Sequence, residues 1–359
     1  MDMHLVGGFL GSGKTTAIIC AAQQLMAQGK TVAVVTNDKG KHLVDTAFFR
    51  TASIPTAEVA GGCFRCNYDQ LEERLQGLIA ENNPDVIFAE SVGSCVDLAE
   101  TVMKPLLDFQ RSLQGDTSFS IFCDIRLLRM WLQGEDLPFS DEVVYIFEQQ
   151  IEEAPLVVLN KCDLLSQEDA GKVEMAFRER YPRKSCLLMS ASQGTGMEGW
   201  LGAIEKSEIT ENAVEFAVDY DVYDRGSQQL AWLDESVRLT GENNTLAMTI
   251  FLNGFAETLR VENVPVGHVK VYLTDGTIHY KGSLVAMDGD GLLASLPDHL
   301  GQSVDLILNG RVQCAPAKLN RMVAGALDTM SRQTGTQYIR EETAYFRPRV
   351  SAERNSHNR

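Results

Sequence analysis

A chain of 359 residues is too long for one ordinary domain and comfortable for two, and 44% hydrophobic with 23% charged residues is the mix of a soluble globular protein with a proper core. A formal net charge of −17 argues against nucleic acid or an anionic membrane as the main partner, and no apolar run reaches the length of a membrane span. Metal cations or basic protein patches suit such a surface, although acidity that merely keeps the protein soluble explains it at least as well.

The chain opens on a short apolar strand (Leu5, Val6) that runs into Gly8-Phe9-Leu10-Gly11-Ser12-Gly13-Lys14-Thr15. This is the G-x-x-x-x-G-K-[ST] spacing of a phosphate-binding loop. Glycines at 8, 11 and 13 let the backbone, with Ser12, turn its amides inward on a polyphosphate, because they bring no Cβ between backbone and ligand. Lys14 supplies a point charge to the β- and γ-phosphates, and the Thr15 hydroxyl is placed to ligate Mg²⁺. A helix over Thr16 to Gln28 then aims its positive end at the same anion. A chance match is expected on the order of once in a hundred chains of this length, and less often between a strand and a helix. The loop is therefore read as a nucleotide site. It begins before a cleavable leader could end, and the eight cysteines are scattered rather than framed as disulfides. A reducing cytoplasm is the expected compartment.

Thr31 to Thr36 is continuous and β-branched, a strand buried on both faces, and it ends in the polar turn Asn37-Asp38-Lys39-Gly40. A less regular stretch leads to Gly61-Gly62-Cys63-Phe64-Arg65-Cys66, followed by a helix from about Asp69 to Glu81. Asp85 to Glu90 is the next buried strand, closed by Ser91-Val92-Gly93. An acid such as Glu90 at the end of such a strand holds a magnesium shell, and Gly93 lets a backbone amide reach the γ-phosphate. Strands follow over Ser118 to Cys123 with Asp124, and over Pro155 to Leu159. The latter runs directly into Asn160-Lys161-Cys162-Asp163. In N-K-x-D the carboxylate of Asp163 accepts from the N1–H and N2–H₂ of guanine, Asn160 braces the loop, and the Lys161 stem lies along the base plane. A turn capping the next helix is the alternative, but after a buried strand and a phosphate loop the tetrapeptide favours GTP over ATP. Ser185 to Met189 gives a further strand, and the backbone of Ser190-Ala191-Ser192 is placed to close over the base.

Past Val214 the texture changes. Leu230 to Leu239 reads as strand and Asn244 to Val261 as helix, then His268 to Leu273 and Thr277 to Val285 form a hairpin about Asp275-Gly276. Ser303 to Leu308 is strand and Lys318 to Gln333 helix, a βαββαβ-like layout with an inserted segment. The expected organisation is a P-loop α/β domain with a mainly parallel sheet over 1–212, a smaller α+β domain over 213–346, and a disordered tail over 347–359.

Together, Gly8 to Thr16, Asn37-Asp38-Lys39-Gly40, Gly61 to Cys66, Glu90-Ser91-Val92-Gly93 and Asn160 to Asp163 resemble the CobW-type GTPases. These are metallochaperones related to the nickel-insertion GTPases of hydrogenase and urease. The resemblance covers the first domain and is weakly suggestive in the second. It implies a cycle in which bound GTP shapes a metal site and hydrolysis to GDP and phosphate releases the ion to a client, with Lys14, Asp38 and Glu90 as the catalytic set. The family's metal motif is C-x-C-C. The matching positions here are Cys63, Arg65 and Cys66, so the middle cysteine is an arginine. Two thiolates give a soft half-site for Zn²⁺, Co²⁺ or Ni²⁺, with Cys95, Glu58 or His42 as candidate completions. The arginine would repel the cation or lower the thiol pKa values, and two ordinary cysteines beside a Gly-Gly turn is the competing reading. The remaining cysteines look like core fillers, and no histidine tract is present. Three functions follow from the resemblance. The first is a Mg²⁺-dependent GTPase delivering a metal or metallocofactor to a client metalloprotein. The second is a GTPase chaperone of a corrinoid protein without its own tight metal site. The third is a nucleotide-dependent scaffold. None requires nucleic acid or membrane, and a homodimer is the candidate assembly.

Overall fold

The computed structural model describes residues 1–38, 44–111, 115–206, 217–286 and 296–348, the side chains of Asp38, Gln110 and Arg111 excepted. The chain divides into two compact units, one of Met1–Lys39 with Phe49–Tyr223, the other of Gly40–Phe48 with Asp224–Arg359. The boundary expected near residue 212 and most of the tail expected from 347 onward lie outside the described residues.

In the first unit strands alternate with helices, save that α5 and α6 follow one another, and the crossovers make every pairing parallel. In order the elements are β1 (Asp2–Gly8), α1 (Lys14–Ala27), β2 (Val32–Asp38), α2 (Val44–Thr51, of which only Phe49 onward falls in this unit), β3 (Thr56–Ala60), α3 (Tyr68–Asn82), β4 (Val86–Glu90), α4 (Lys104–Arg111) and β5 (Thr117–Asp124). They continue through α5 (Ile125–Leu132), α6 (Asp141–Glu153), β6 (Leu156–Asn160), α7 (Gln167–Arg180), β7 (Ser185–Leu188) and α8 (Met197–Glu205). The seven strands lie in the order β3-β2-β4-β1-β5-β6-β7. Chain direction across the sheet reverses at β1, and at such a switch point the strand ends open a crevice for a ligand. One face packs Trp200 of α8 edge-on against Phe122, with ring centroids 5.0 Å apart, and its indole Nε1 donates to Ser120 Oγ at 3.1 Å. Trp131 of α5 stacks on Tyr181 at 6.3 Å and lies under the Arg180 guanidinium. At the opposite end of the strands from the crevice, buried His4 hydrogen-bonds Ser118 Oγ at 2.7 Å.

The stretch read as irregular before Gly61 contains α2 and β3. β3 is short, at the sheet edge and only partly buried, so its sequence lacks the apolar run of the inner strands.

The second unit holds α9 (Tyr220–Gln229) from residue 224 onward, β8 (Leu230–Thr240), α10 (Asn244–Val261), β9 (Val266–Thr274), β10 (His279–Leu284), β11 (Ser303–Gln313), α11 (Pro316–Thr334) and β12 (Gln337–Phe346). Its five strands run β10-β9-β11-β8-β12, all antiparallel, so the layout exceeds the expected βαββαβ by one strand. β12 was illegible because an edge strand that is mostly exposed carries polar residues. Gly276 turns the β9–β10 hairpin with φ 89°. One sheet face packs α10 and α11 over Val237, Leu239, Val271, Leu306 and Leu308. On the second unit's β8 and β11, Trp232 lies under the Arg311 guanidinium, 3.7 Å from the ring centroid, and Phe346 of β12 stacks on the same ring. Among the described residues no helix is long and apolar enough to cross a membrane.

Candidate functional site

The loop after β1 is built as the motif demands. Gly13 sits at φ 91°, and a Cβ there would lie 2.3 Å from the Asn160 amide nitrogen, so only glycine serves both the turn and the contact. α1 starts at Lys14, which places the loop amides at a helix N-terminus. Lys14 is buried and its Nζ donates to Gly8 O at 2.6 Å and to Phe9 O at 3.3 Å, inside the loop. Thr16 is exposed on the first turn of α1. The hydroxyl of Ser12 is buried with no hydrogen-bond partner among the described residues, an orphaned polar atom that a phosphate oxygen suits.

The two residues expected to hold Mg²⁺ come together. Thr15 Oγ1 donates to Glu90 Oε1 at 2.8 Å, from the start of α1 to the end of β4, and both are buried. Two hard oxygen donors beside a phosphate cradle fit a magnesium ion. Asp38 closes β2, paired in register with Ala60, while its side chain lies outside the described residues, as does His42. Gly93 touches the phosphate loop: a Cβ there would come within 2.8 Å of Leu10 Cδ2 and 3.1 Å of the Leu10 backbone.

Asn160 joins the two ends of the site. Its Nδ2 donates to Ser12 O at 2.8 Å and its Oδ1 accepts from Ala191 N at 3.0 Å, with the side chain only 1% exposed. One amide therefore ties the phosphate loop to the Ser190-Ala191 segment after β7. Ser190 is buried and its N–H donates to Thr195 O at 2.9 Å, so that segment is a closed turn. Lys161 takes a left-handed conformation, φ 66°, and Asp163 stands exposed on the short helical turn Cys162–Leu164.

The cysteine turn is held by Asn37, which donates to Val59 O at 3.0 Å and Gly62 O at 2.7 Å and accepts from Phe64 N at 2.9 Å. Cys63 and Cys95 are buried and Cys66 is exposed. Hydrogen bonding with Cys63 pushes the Cys66 thiol above its usual range. The Arg65 guanidinium lies over Tyr220, 4.8 Å from the ring centroid, and 5.7 Å from that of Tyr223. Burial opposes its charge, but Tyr223, Cys95, Cys63 and Tyr220 around it hold its pKa above the ordinary arginine value. Tyr220 in turn donates to Asp97. Among the described residues no three His, Cys, Asp or Glu side chains gather as a metal-holding group, so Cys63, Cys66 and Cys95 do not close a site by themselves, nor with Glu58.

Several residues at the site carried no sequence motif. Gln150 of α6 donates to Gly93 O at 3.2 Å and Cys95 O at 2.7 Å, and Glu153 accepts from Leu98 N at 2.6 Å and Ala99 N at 3.3 Å. Burial pushes the Glu153 carboxyl up to about 8. Their only signal is that polar residues interrupt the buried face that Val143, Ile146, Phe147 and Ile151 form on α6. Asp124, noted at the sequence level only as a strand end, accepts from Arg126 and Lys161.

Residues 2–187 match a family model described as CobW/HypB/UreG, nucleotide-binding domain. The chain is similar to the zinc-regulated GTPase metalloprotein activator 1 of Dictyostelium discoideum, 24% identical over 268 residues that span 62% of this chain and 56% of the relative. It is also similar to a zinc chaperone CobW of a Sinorhizobium species, at 23% identity over 70% of this chain and 80% of that one. Thus the match spans little more than half the length of the first of these relatives. Among solved structures, HypB from Helicobacter pylori in complex with nickel aligns at 16% identity and a TM-score of 0.42, covering 58% of this chain and 91% of that one.

Proposed function

Because the chain belongs to the CobW/HypB/UreG family of P-loop GTPases by its nucleotide-binding domain, we propose that it hydrolyses GTP to GDP and phosphate in order to deliver a metal ion or metallocofactor to a client protein. The observation that carries the nucleotide reading is the Asn160 bridge between Ser12 and Ala191, which makes one site of the phosphate loop and the base turn. In this reading Gly8, Gly11, Ser12, Gly13 and Thr16 cradle the phosphates, and Lys14 balances their charge. Thr15 and Glu90 hold Mg²⁺, which neutralises charge on the phosphate oxygens. Asp163 reads the guanine edge, with Lys161 beside it and Ser190-Ala191 over it. Asp38 or Glu90 orients the attacking water, and the Gly93 amide senses the γ-phosphate. The names of the relatives support zinc as the cargo, with Cys63, Cys66 and Cys95 as its candidate thiol ligands and a metalloprotein as the client.

A second reading, a chaperone of a corrinoid or other cofactor protein, is favoured by Arg65: its cation lies among Cys63, Cys95 and two tyrosine rings, where a metal would meet repulsion. Titration of GTP, ATP and XTP onto wild type and Asp163→Asn tests the nucleotide assignment. Wild type should prefer GTP and the variant should gain XTP, and equal wild-type affinity for ATP and GTP refutes it. Calorimetric titration of Zn²⁺ with GDP and with a non-hydrolysable GTP analogue then separates the two cargoes. Metal delivery requires an affinity that changes with the nucleotide and is lost in Cys63→Ser and Cys66→Ser.

A further inference from the structure

At the end of β5, Asp124 lies in register with Asn160 on the adjacent strand β6, at the height of the base-recognition turn and one residue from Lys161. Its side chain is 3% exposed and carries four contacts. Oδ1 accepts from the Arg126 backbone N–H at 3.0 Å, which caps α5, and from Arg126 Nε at 3.0 Å. Oδ2 accepts from Arg126 Nη2 at 2.6 Å and from Lys161 Nζ at 3.0 Å. Burial alone would raise the carboxyl's pKa; Arg126 and Lys161 outweigh it and hold it below the usual carboxylate value.

One carboxylate thus serves two cations, and only one of them is explained by local structure. Arg126 is two residues away and part of the cap. Lys161 arrives from another strand in a left-handed backbone conformation that costs a non-glycine residue about 1 kcal/mol and persists only where surroundings over-determine it. With its ammonium anchored at Asp124, the four-carbon stem of Lys161 is laid in one direction instead of sampling its rotamers in solvent. A flat apolar stem held still beside the guanine-reading carboxylate is a surface for a purine ring.

We propose that Asp124 is a positioning residue for the purine slot: by anchoring the Lys161 ammonium it fixes the Lys161 stem as the platform under the base. This rests on the guanine-nucleotide reading above. It adds that affinity for the base face depends on a buried acid that touches no nucleotide.

Asp124→Asn keeps the side-chain shape and the helix cap while removing the charge that holds Lys161. Michaelis constants for GTP and ITP should rise together by about tenfold, the effect of losing one charge-assisted contact, with kcat within about twofold of wild type. GTP and ITP suffer alike because the stem meets the ring face, not the edge that Asp163 reads. Inhibition by inorganic tripolyphosphate, which has no base, should be unchanged. Lys161→Met keeps a stem but not the anchor, so it should match Asp124→Asn, and the double variant should be no worse than either single one. Additive losses in the double variant, or weaker tripolyphosphate binding in Asp124→Asn, would overturn the proposal and leave a structural role for Asp124. Failure of the underlying reading looks different: wild type would then bind ATP as well as GTP before any substitution is made.

Discussion

Asn160→Ala removes both hydrogen bonds of the side chain that joins the loop after β1 to the Ser190-Ala191 turn. The residue is 1% exposed and Ala191 4%, so water does not readily replace what is lost. Ser12 O and Ala191 N–H are each left short of a partner they have at 2.8 and 3.0 Å. An unsatisfied buried backbone group costs about 1–3 kcal/mol, and partial relaxation brings the expected total to about 2–4 kcal/mol. For a unit of this size that corresponds to a fall of roughly 5–15 °C in the melting temperature without nucleotide. Asn160→Asp keeps the acceptor for Ala191 N–H but sets a second carboxylate oxygen against Ser12 O in a buried site, so repulsion and desolvation should make it at least as destabilising as Asn160→Ala. Thermal unfolding followed by circular dichroism, paired with a fluorescent-GDP titration, measures both consequences. GDP affinity should drop by about tenfold or more, because the phosphate and base ends are no longer held for simultaneous binding. An Asn160→Ala protein that melts within about 2 °C of wild type and binds GDP normally would refute the idea that this amide organises the site.

Hydrolysis should depend on Lys14 and Thr15: Lys14→Ala and Thr15→Ala should each lower turnover by about 10²-fold, the scale of losing one transition-state charge stabiliser, as single-turnover assays would register. Stability should also depend on His4, whose pKa burial lowers from 6.5 to about 4. The unfolded chain then binds more protons between those values, so stability is full above pH 6.5 and falls as the pH drops toward 4, by about 3 kcal/mol in all. His4→Gln should flatten that part of the pH profile in urea unfolding at pH 5 and pH 7.

What was legible in the sequence follows from how local its causes are. The phosphate loop and the Asn160–Asp163 turn are contiguous, and each residue type has a local reason to be there. The inner strands were legible because burial on both faces leaves continuous apolar runs such as Val32 to Val35. β3 and β12, only partly buried at their sheet edges, leave no such run and went unread, whereas the edge strands β7 and β10 were legible. At the site, the residues that escaped are those that act across sequence distance. Gln150 and Glu153 hold a loop more than fifty residues earlier in the chain, and Asp124 reaches Lys161 from the neighbouring strand. Arg65 was visible as a departure from the cysteine motif, but its stacking on Tyr220 and Tyr223 was not, because nothing in either segment specifies the other.

The placement of the tryptophans has an experimental use. Of the three in the chain, Trp131 and Trp200 belong to the first unit, and Trp232 alone to the second, under Arg311 and against Phe346. A variant in which Trp131 and Trp200 are replaced by phenylalanine would carry one intrinsic fluorophore, whose emission follows the second unit. The complementary Trp232→Phe protein would follow the first. Denaturant curves of the two, overlaid, would then reveal whether the units melt as one cooperative system or in separate steps, with no dye attached to either.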